Sequence, residues 1–76
     1  MKFTCHPIDN GNLGWCIVGN GRFYKGSFLE SVRGRVTLEY GEGVEFETSF
    51  SVTWDEVLVL RQSPERLHAL RNPGST

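Results

Sequence analysis

The sequence predicts an all-β domain: a small barrel or roll of five to six short antiparallel strands, finished by one short C-terminal helix. Three observations carry that reading. Apolar and polar residues alternate with period two across residues 35–40 and 44–50, the pattern of a half-buried antiparallel pair. Glycine-bearing turns recur at short intervals, at Gly19-Asn20-Gly21 and Gly41-Glu42-Gly43, as they do in small all-β folds. The character changes only at the C-terminal end, where Ser63 and Pro64 form a helix-start signal.

Each element follows in order. Residues 2–8 read as a β-like segment closed by Pro7 and the turn cluster Asp9-Asn10-Gly11-Asn12. Gly14-Trp15-Cys16-Ile17-Val18 is an apolar run of strand length. It leads into Asn20-Gly21, a strong short hairpin signal because both residues tolerate positive φ. Residues 22–29 then return as a strand, with Phe23, Lys25 and Ser27 on one face and Tyr24, Gly26 and Phe28 on the other.

Residues 30–34 read as a polar connection. In residues 35–40, Val36, Leu38 and Tyr40 share a face opposite Thr37 and Glu39. After the Gly41-Glu42-Gly43 turn, Val44, Phe46, Thr48 and Phe50 alternate with Glu45, Glu47 and Ser49. Residues 51–55 read as a strand continuation or a short 3₁₀ turn. The run Glu56-Val57-Leu58-Val59-Leu60 reads as a last strand buried on both sides. Ser63 is an N-cap and Pro64 a first helical residue, with Leu67 and Leu70 three apart on one face. Asn72-Pro73-Gly74 ends a helix of about residues 63–72 and leaves a flexible tail at 73–76.

Seventy-six residues make a single domain spanning 1–76. A chain this short buries only about 60% of its unfolded surface, so its nine aromatics matter to its core. Eight Lys and Arg against nine Asp and Glu give a net charge of −1, which weighs against a strong nucleic-acid binder. Two cysteines, Cys5 and Cys16, read as free buried thiols in a chain whose N-terminus lacks a secretory signal. No apolar stretch approaches membrane-spanning length, so a cytoplasmic protein is expected. Cys5, His6, Cys16 and His68 have no common zinc spacing, and neither a metal nor a cofactor is expected.

A chain of this length closes its sheet edges most easily as an SH3-like barrel, with the helix over one opening. The elements Gly19-Asn20-Gly21, Tyr24-Lys25-Gly26, Tyr40-Gly41-Glu42-Gly43 and Phe46, with Trp54-Asp55-Glu56-Val57 as a closing turn, resemble a Tudor-type SH3-like barrel. The likeness covers roughly residues 15–60. It implies an aromatic cage for a cationic group, with Tyr24, Tyr40 and Phe46 as three walls. Val18 stands where the fourth wall is usually a tryptophan, and Trp15 lies three residues earlier.

The expectation is therefore a non-enzymatic binding or adaptor module. It would hold a partner protein or basic peptide by Tyr24, Tyr40, Phe46 and Val18, with Glu42 and neighbouring glutamates as an acidic rim, acting as a monomer or homodimer. Aromatics at strand period are usually core, so the same rings also read as plain packing. A second reading is a nucleic-acid-associated barrel using Arg22, Lys25, Arg33 and Arg35, with Phe23 and Trp15 as stacking platforms. A third is a small-barrel enzyme that oligomerises around a shared pore. No catalytic motif supports it: Cys5 and His6 are adjacent, so on a strand their side chains point apart.

Overall fold

The computed structural model describes residues 1–71, and its order is β1 (Lys2–Ile8), a 3₁₀ turn (Asp9–Gly11), β2 (Gly14–Gly19), β3 (Arg22–Gly26), α1 (Leu29–Tyr40), β4 (Glu45–Thr48), α2 (Trp54–Gln62) and α3 (Pro64–Arg71). The strands form one open sheet in the order β3-β2-β1-β4. β1, β2 and β3 are antiparallel neighbours, while β4 runs parallel to β1. The expected all-β, SH3-like or Tudor-like barrel is thus corrected to an α+β fold whose sheet does not close.

The hairpin of β2 and β3 forms where the sequence places it. Asn20 and Gly21 both take positive φ, at 51° and 71°, as a two-residue loop between twisted strands requires. The returning strand ends at Gly26, and residues 29–40 form α1 where a polar connection and a strand were expected. Leu29, Val32, Val36 and Tyr40 make an i, i+3, i+7, i+11 stripe, with Val32 and Val36 fully buried. A strand would have buried Leu38 beside Val36, but Leu38 is 89% exposed. Gly26 lets this helix approach β3: a Cβ there would lie 2.7 Å from Val32 Cγ2.

The run at 56–60 is likewise helix α2 rather than a last strand. Thr53 caps it: its hydroxyl accepts from the Glu56 N–H at 3.2 Å, and Glu56 Oε1 accepts from the Thr53 N–H at 2.9 Å. That reciprocal capping box satisfies two backbone donors that a helix start otherwise leaves open. α3 begins at Pro64, as expected, with the Ser63 hydroxyl accepting from the Arg66 N–H at 3.3 Å. Leu67 is buried, but Leu70, expected on the same packed face, is exposed. The expected end of this helix at Asn72 and the tail at 73–76 lie outside the described residues.

The sheet separates two cores. Phe3, Cys5 and Ile17 point to one face, where they meet Val32 and Val36 of α1. Ile8, Cys16 and Val18 point to the other and meet Val52, Val57, Leu60 and Leu67. Successive residues of β1 and β2 thus alternate between layers. Cys5 and Cys16 are both free and buried, and they lie on opposite faces of the sheet. No helix among the described residues is long and apolar enough to cross a membrane.

Candidate functional site

Tyr24, Tyr40 and Phe46 come from β3, the end of α1 and β4, and the fold brings all three together. What joins them is Phe3. Its ring centroid lies 6.3 Å from Tyr24, 5.2 Å from Tyr40 and 6.3 Å from Phe46, spacings typical of packed aromatic pairs. Phe3 has no exposed surface, and it occupies the centre that a bound cation would need. Gly19 admits it, since a Cβ there would come within 2.6 Å of Phe3 Cδ2.

The rim of the cluster is also engaged. The Tyr24 hydroxyl donates to the Glu39 carboxylate, and Asn20 Nδ2 donates a long 3.5 Å bond to the Tyr40 hydroxyl. Burial, then the bonds to Glu39 and Tyr40, push the Tyr24 phenol well above its ordinary pKa. The bond from Asn20 is the first cause that lowers that of Tyr40. The Arg33 guanidinium sits 4.8 Å from the Phe46 ring centroid, so the protein's own cation covers this face. Val18 belongs to the opposite core and is not a fourth wall. Glu42 is exposed in the turn between α1 and β4.

The four basic residues do not gather on one face. Arg33 lies over Phe46 near one sheet edge. Lys25, on the opposite edge strand, places its ammonium 4.8 Å from the Trp54 ring centroid. Arg35 reaches round from α1 and donates to the Lys25 carbonyl. Arg22 lines a groove beyond the hairpin turn. Phe23 and Trp15, the expected stacking pair, pack against different cores.

That groove lies between the sheet and the α2/α3 corner. It measures about 400 Å³. Val18 and Leu60, both buried, form its floor, Phe23 and Pro64 give it accessible apolar surface, and Lys2, Arg22 and Arg61 supply positive charge with Glu65 a single carboxylate. Lys2 pairs with Glu47 at 3.2 Å, but both side chains are more than half exposed, so water screens the pair. Arg22 and Arg61 enter no ion pair among the described residues.

A neighbouring hollow of about 230 Å³ shares Thr4, Val18, Leu60 and Pro64 with the groove and adds His6, Glu47, Ser49 and His68. His6 Nδ1 lies 3.0 Å from the Phe50 carbonyl oxygen, and the two rings are 4.7 Å apart. Burial lowers the His6 pKa, partly opposed by that hydrogen bond. Burial also raises both thiols, Cys16 to about 11, which keeps them protonated and poorly nucleophilic near neutrality. No group of three His, Cys, Asp or Glu among the described residues is placed to hold a metal ion.

The groove residues contributed by α2 and α3 escape a reading that makes residues 56–60 a strand. The signal that reveals them is Thr53 with Glu56 three residues on, a capping-box pattern ahead of an apolar run. The chain matches no protein-family model, no curated protein and no solved structure.

Proposed function

We propose that the protein is a non-enzymatic binding module that takes an acidic segment of a partner protein into the groove between the β2/β3 hairpin and the α2/α3 corner. One observation carries this reading: a groove floored by the packed Val18 and Leu60 and walled by the half-buried Phe23 and the exposed Pro64 lies beside two arginines, Arg22 and Arg61, that have no carboxylate partner among the described residues. Apolar contact supplies affinity, and the flanking cations select and steer a negatively charged ligand. The aromatic cluster is a poorer seat because Phe3 fills it and Arg33 covers Phe46.

A nucleic acid fits less well. Its binding draws mainly on many phosphate contacts, whereas the chain carries a net charge of −1, Arg33 lies apart over Phe46 and Glu65 borders the groove. Catalysis is disfavoured by thiols held protonated and by a buried His6 engaged with the Phe50 carbonyl.

The test is selection from a phage-displayed random dodecapeptide library on the full chain, followed by amide shift mapping with the recovered peptide. Acidic peptides should perturb Val18, Phe23 and Leu60, and the Arg22→Glu, Arg61→Glu double variant should abolish binding while Arg33→Glu retains it. Perturbation centred on Tyr40 and Phe46, or equal binding by the double variant, would overturn the assignment.

A further inference from the structure

β3 is an edge strand, and its register determines which backbone groups face outward. The Asn20-Gly21 loop makes Gly19 and Arg22 the closing pair, followed by Val18 with Phe23, Ile17 with Tyr24 and Cys16 with Lys25. In a two-residue hairpin the closing pair exchanges ladder hydrogen bonds, and alternate pairs do so thereafter. Arg22, Tyr24 and Gly26 therefore bond inward to β2. Phe23 and Lys25 turn their N–H and C=O groups away from the sheet. The Arg35 guanidinium agrees with this geometry, because it reaches the Lys25 carbonyl from outside.

Among the described residues, no hydrogen bond from outside the ladder reaches the Phe23 N–H, the Phe23 carbonyl or the Lys25 N–H. Such a row is a template for another strand. The surroundings say which kind. Arg22, Lys25, Arg35 and Arg61 border this edge and the adjoining groove, and none is in an ion pair among the described residues. Trp54 and Leu58, four residues apart on α2, remain 53% and 63% exposed, and Trp54 lies beside Lys25. Like charges oppose a second copy of β3 here, whereas an acidic strand with apolar side chains meets complementary groups.

Resting on the binding role proposed above, we infer that β3 is the seat of strand addition: an extended acidic segment of a partner pairs antiparallel with Phe23 and Lys25. A partner N–H replaces the Arg35 guanidinium at the Lys25 carbonyl, which releases Arg35 to meet a partner carboxylate. Running antiparallel to β3, the segment leads past Arg22 into the groove. Strand addition of this kind draws affinity from main-chain bonds and selectivity from flanking side chains. Arg35 and the five-residue length of β3 guard the edge against indiscriminate pairing.

The experiment uses the full chain and the peptide recovered from the random library. Amide hydrogen exchange with and without peptide reads the edge directly. The Phe23 and Lys25 amides should slow by roughly tenfold or more when the peptide binds. Lys25→Pro removes an N–H that no strand of the protein uses, while Lys25→Gln removes the charge alone. Losing one main-chain bond should weaken Lys25→Pro by about tenfold beyond Lys25→Gln. If Lys25→Pro does not fold, exchange in the unaltered protein decides. A peptide that needs Arg22 and Arg61 but leaves both amides unprotected overturns strand addition and leaves the groove assignment standing. Recovery of no peptide above background overturns both.

Discussion

The Phe3 ring lies 5.2 Å from the Tyr40 ring, centroid to centroid, so β1 plugs from within the cluster that α1 helps to frame. The contact makes Tyr40 part of the core rim, and it ties the central strand to the end of the helix packed over it. In so small a domain this centre carries much of the stability.

Phe3→Ala should cost about 3–5 kcal/mol, the range for deleting a buried phenylalanine. Urea unfolding would show the variant mostly or wholly unfolded in buffer if total stability is near the low end of the usual range of about 5–15 kcal/mol. Tyr40→Ala removes a half-buried ring and should cost about 1–3 kcal/mol. A Tyr40→Ala protein as stable as the parent would contradict its role in packing.

Two glycines should respond with opposite sign. A Cβ at Gly19 meets the Phe3 ring, so Gly19→Ala should destabilise by about 1–3 kcal/mol. Gly34 lies inside α1 with nothing within 4 Å of an added Cβ. Gly34→Ala should therefore stabilise by about 0.5–1 kcal/mol, measurable as a higher urea midpoint. A destabilising Gly34→Ala would argue against helix at this position.

Arg71 ties the two C-terminal helices together. It donates two 2.9 Å bonds to the Glu56 carboxylate and one of 2.6 Å to the Ser51 carbonyl, and it lies 4.5 Å from the Phe50 ring centroid. The bond from Arg71 is the main cause that lowers the Glu56 pKa below 4.5. The contribution of this pair is thus present above pH 4.5 and is lost as pH falls through the lowered value. Arg71→Ala should flatten the acid side of the stability profile between the two. An unchanged acid limb would show that the pair contributes nothing.

His6 adds a second acid-sensitive group. Burial lowers its folded pKa below 6.5, so the unfolded chain takes up the proton first. The stability associated with neutral His6 is present above pH 6.5 and declines as pH falls through the folded value. Proton NMR titration of the ring should give a midpoint below 6.5. A midpoint at or above that value would remove His6 from the acid response.

The thiols act at the alkaline end. Burial raises Cys16 from 9.0 to about 11, so its contribution is intact below pH 9 and lost as pH rises toward 11. In the folded state at about pH 8, iodoacetamide should modify Cys5 and Cys16 only as fast as the core opens. Fast modification of either would show that its burial is not maintained in solution.

Some features are legible in the residues alone because local chemistry dictates them. Asn20 and Gly21 announce their hairpin because positive φ is a property of those residues. Ser63 and Pro64 announce α3 because a cap and a fixed φ act within one turn. The meeting of Tyr24, Tyr40 and Phe46 is not of this kind: it was expected from strands of a barrel, whereas Tyr40 arrives from the end of α1 and the three rings meet around Phe3. Phe3 reaches them from β1 through the gap at Gly19, and no local pattern encodes that route.

By itself, then, the sequence determined the turns, the cap at Ser63 and the residues that seek burial. Tertiary structure alone decided between two periods written into the same residues. Val36, Leu38 and Tyr40 alternate like a strand, while Leu29, Val32, Val36 and Tyr40 recur like a helix. The face formed by Phe3, Cys5 and Ile17 settles the matter, because the helix buries Val32 and Val36 against it and leaves Leu38 in water. That burial outweighs the weak helical propensity of Gly34 and the β-branched valines. With helices on both faces the sheet stays open, and β3 is left as an edge.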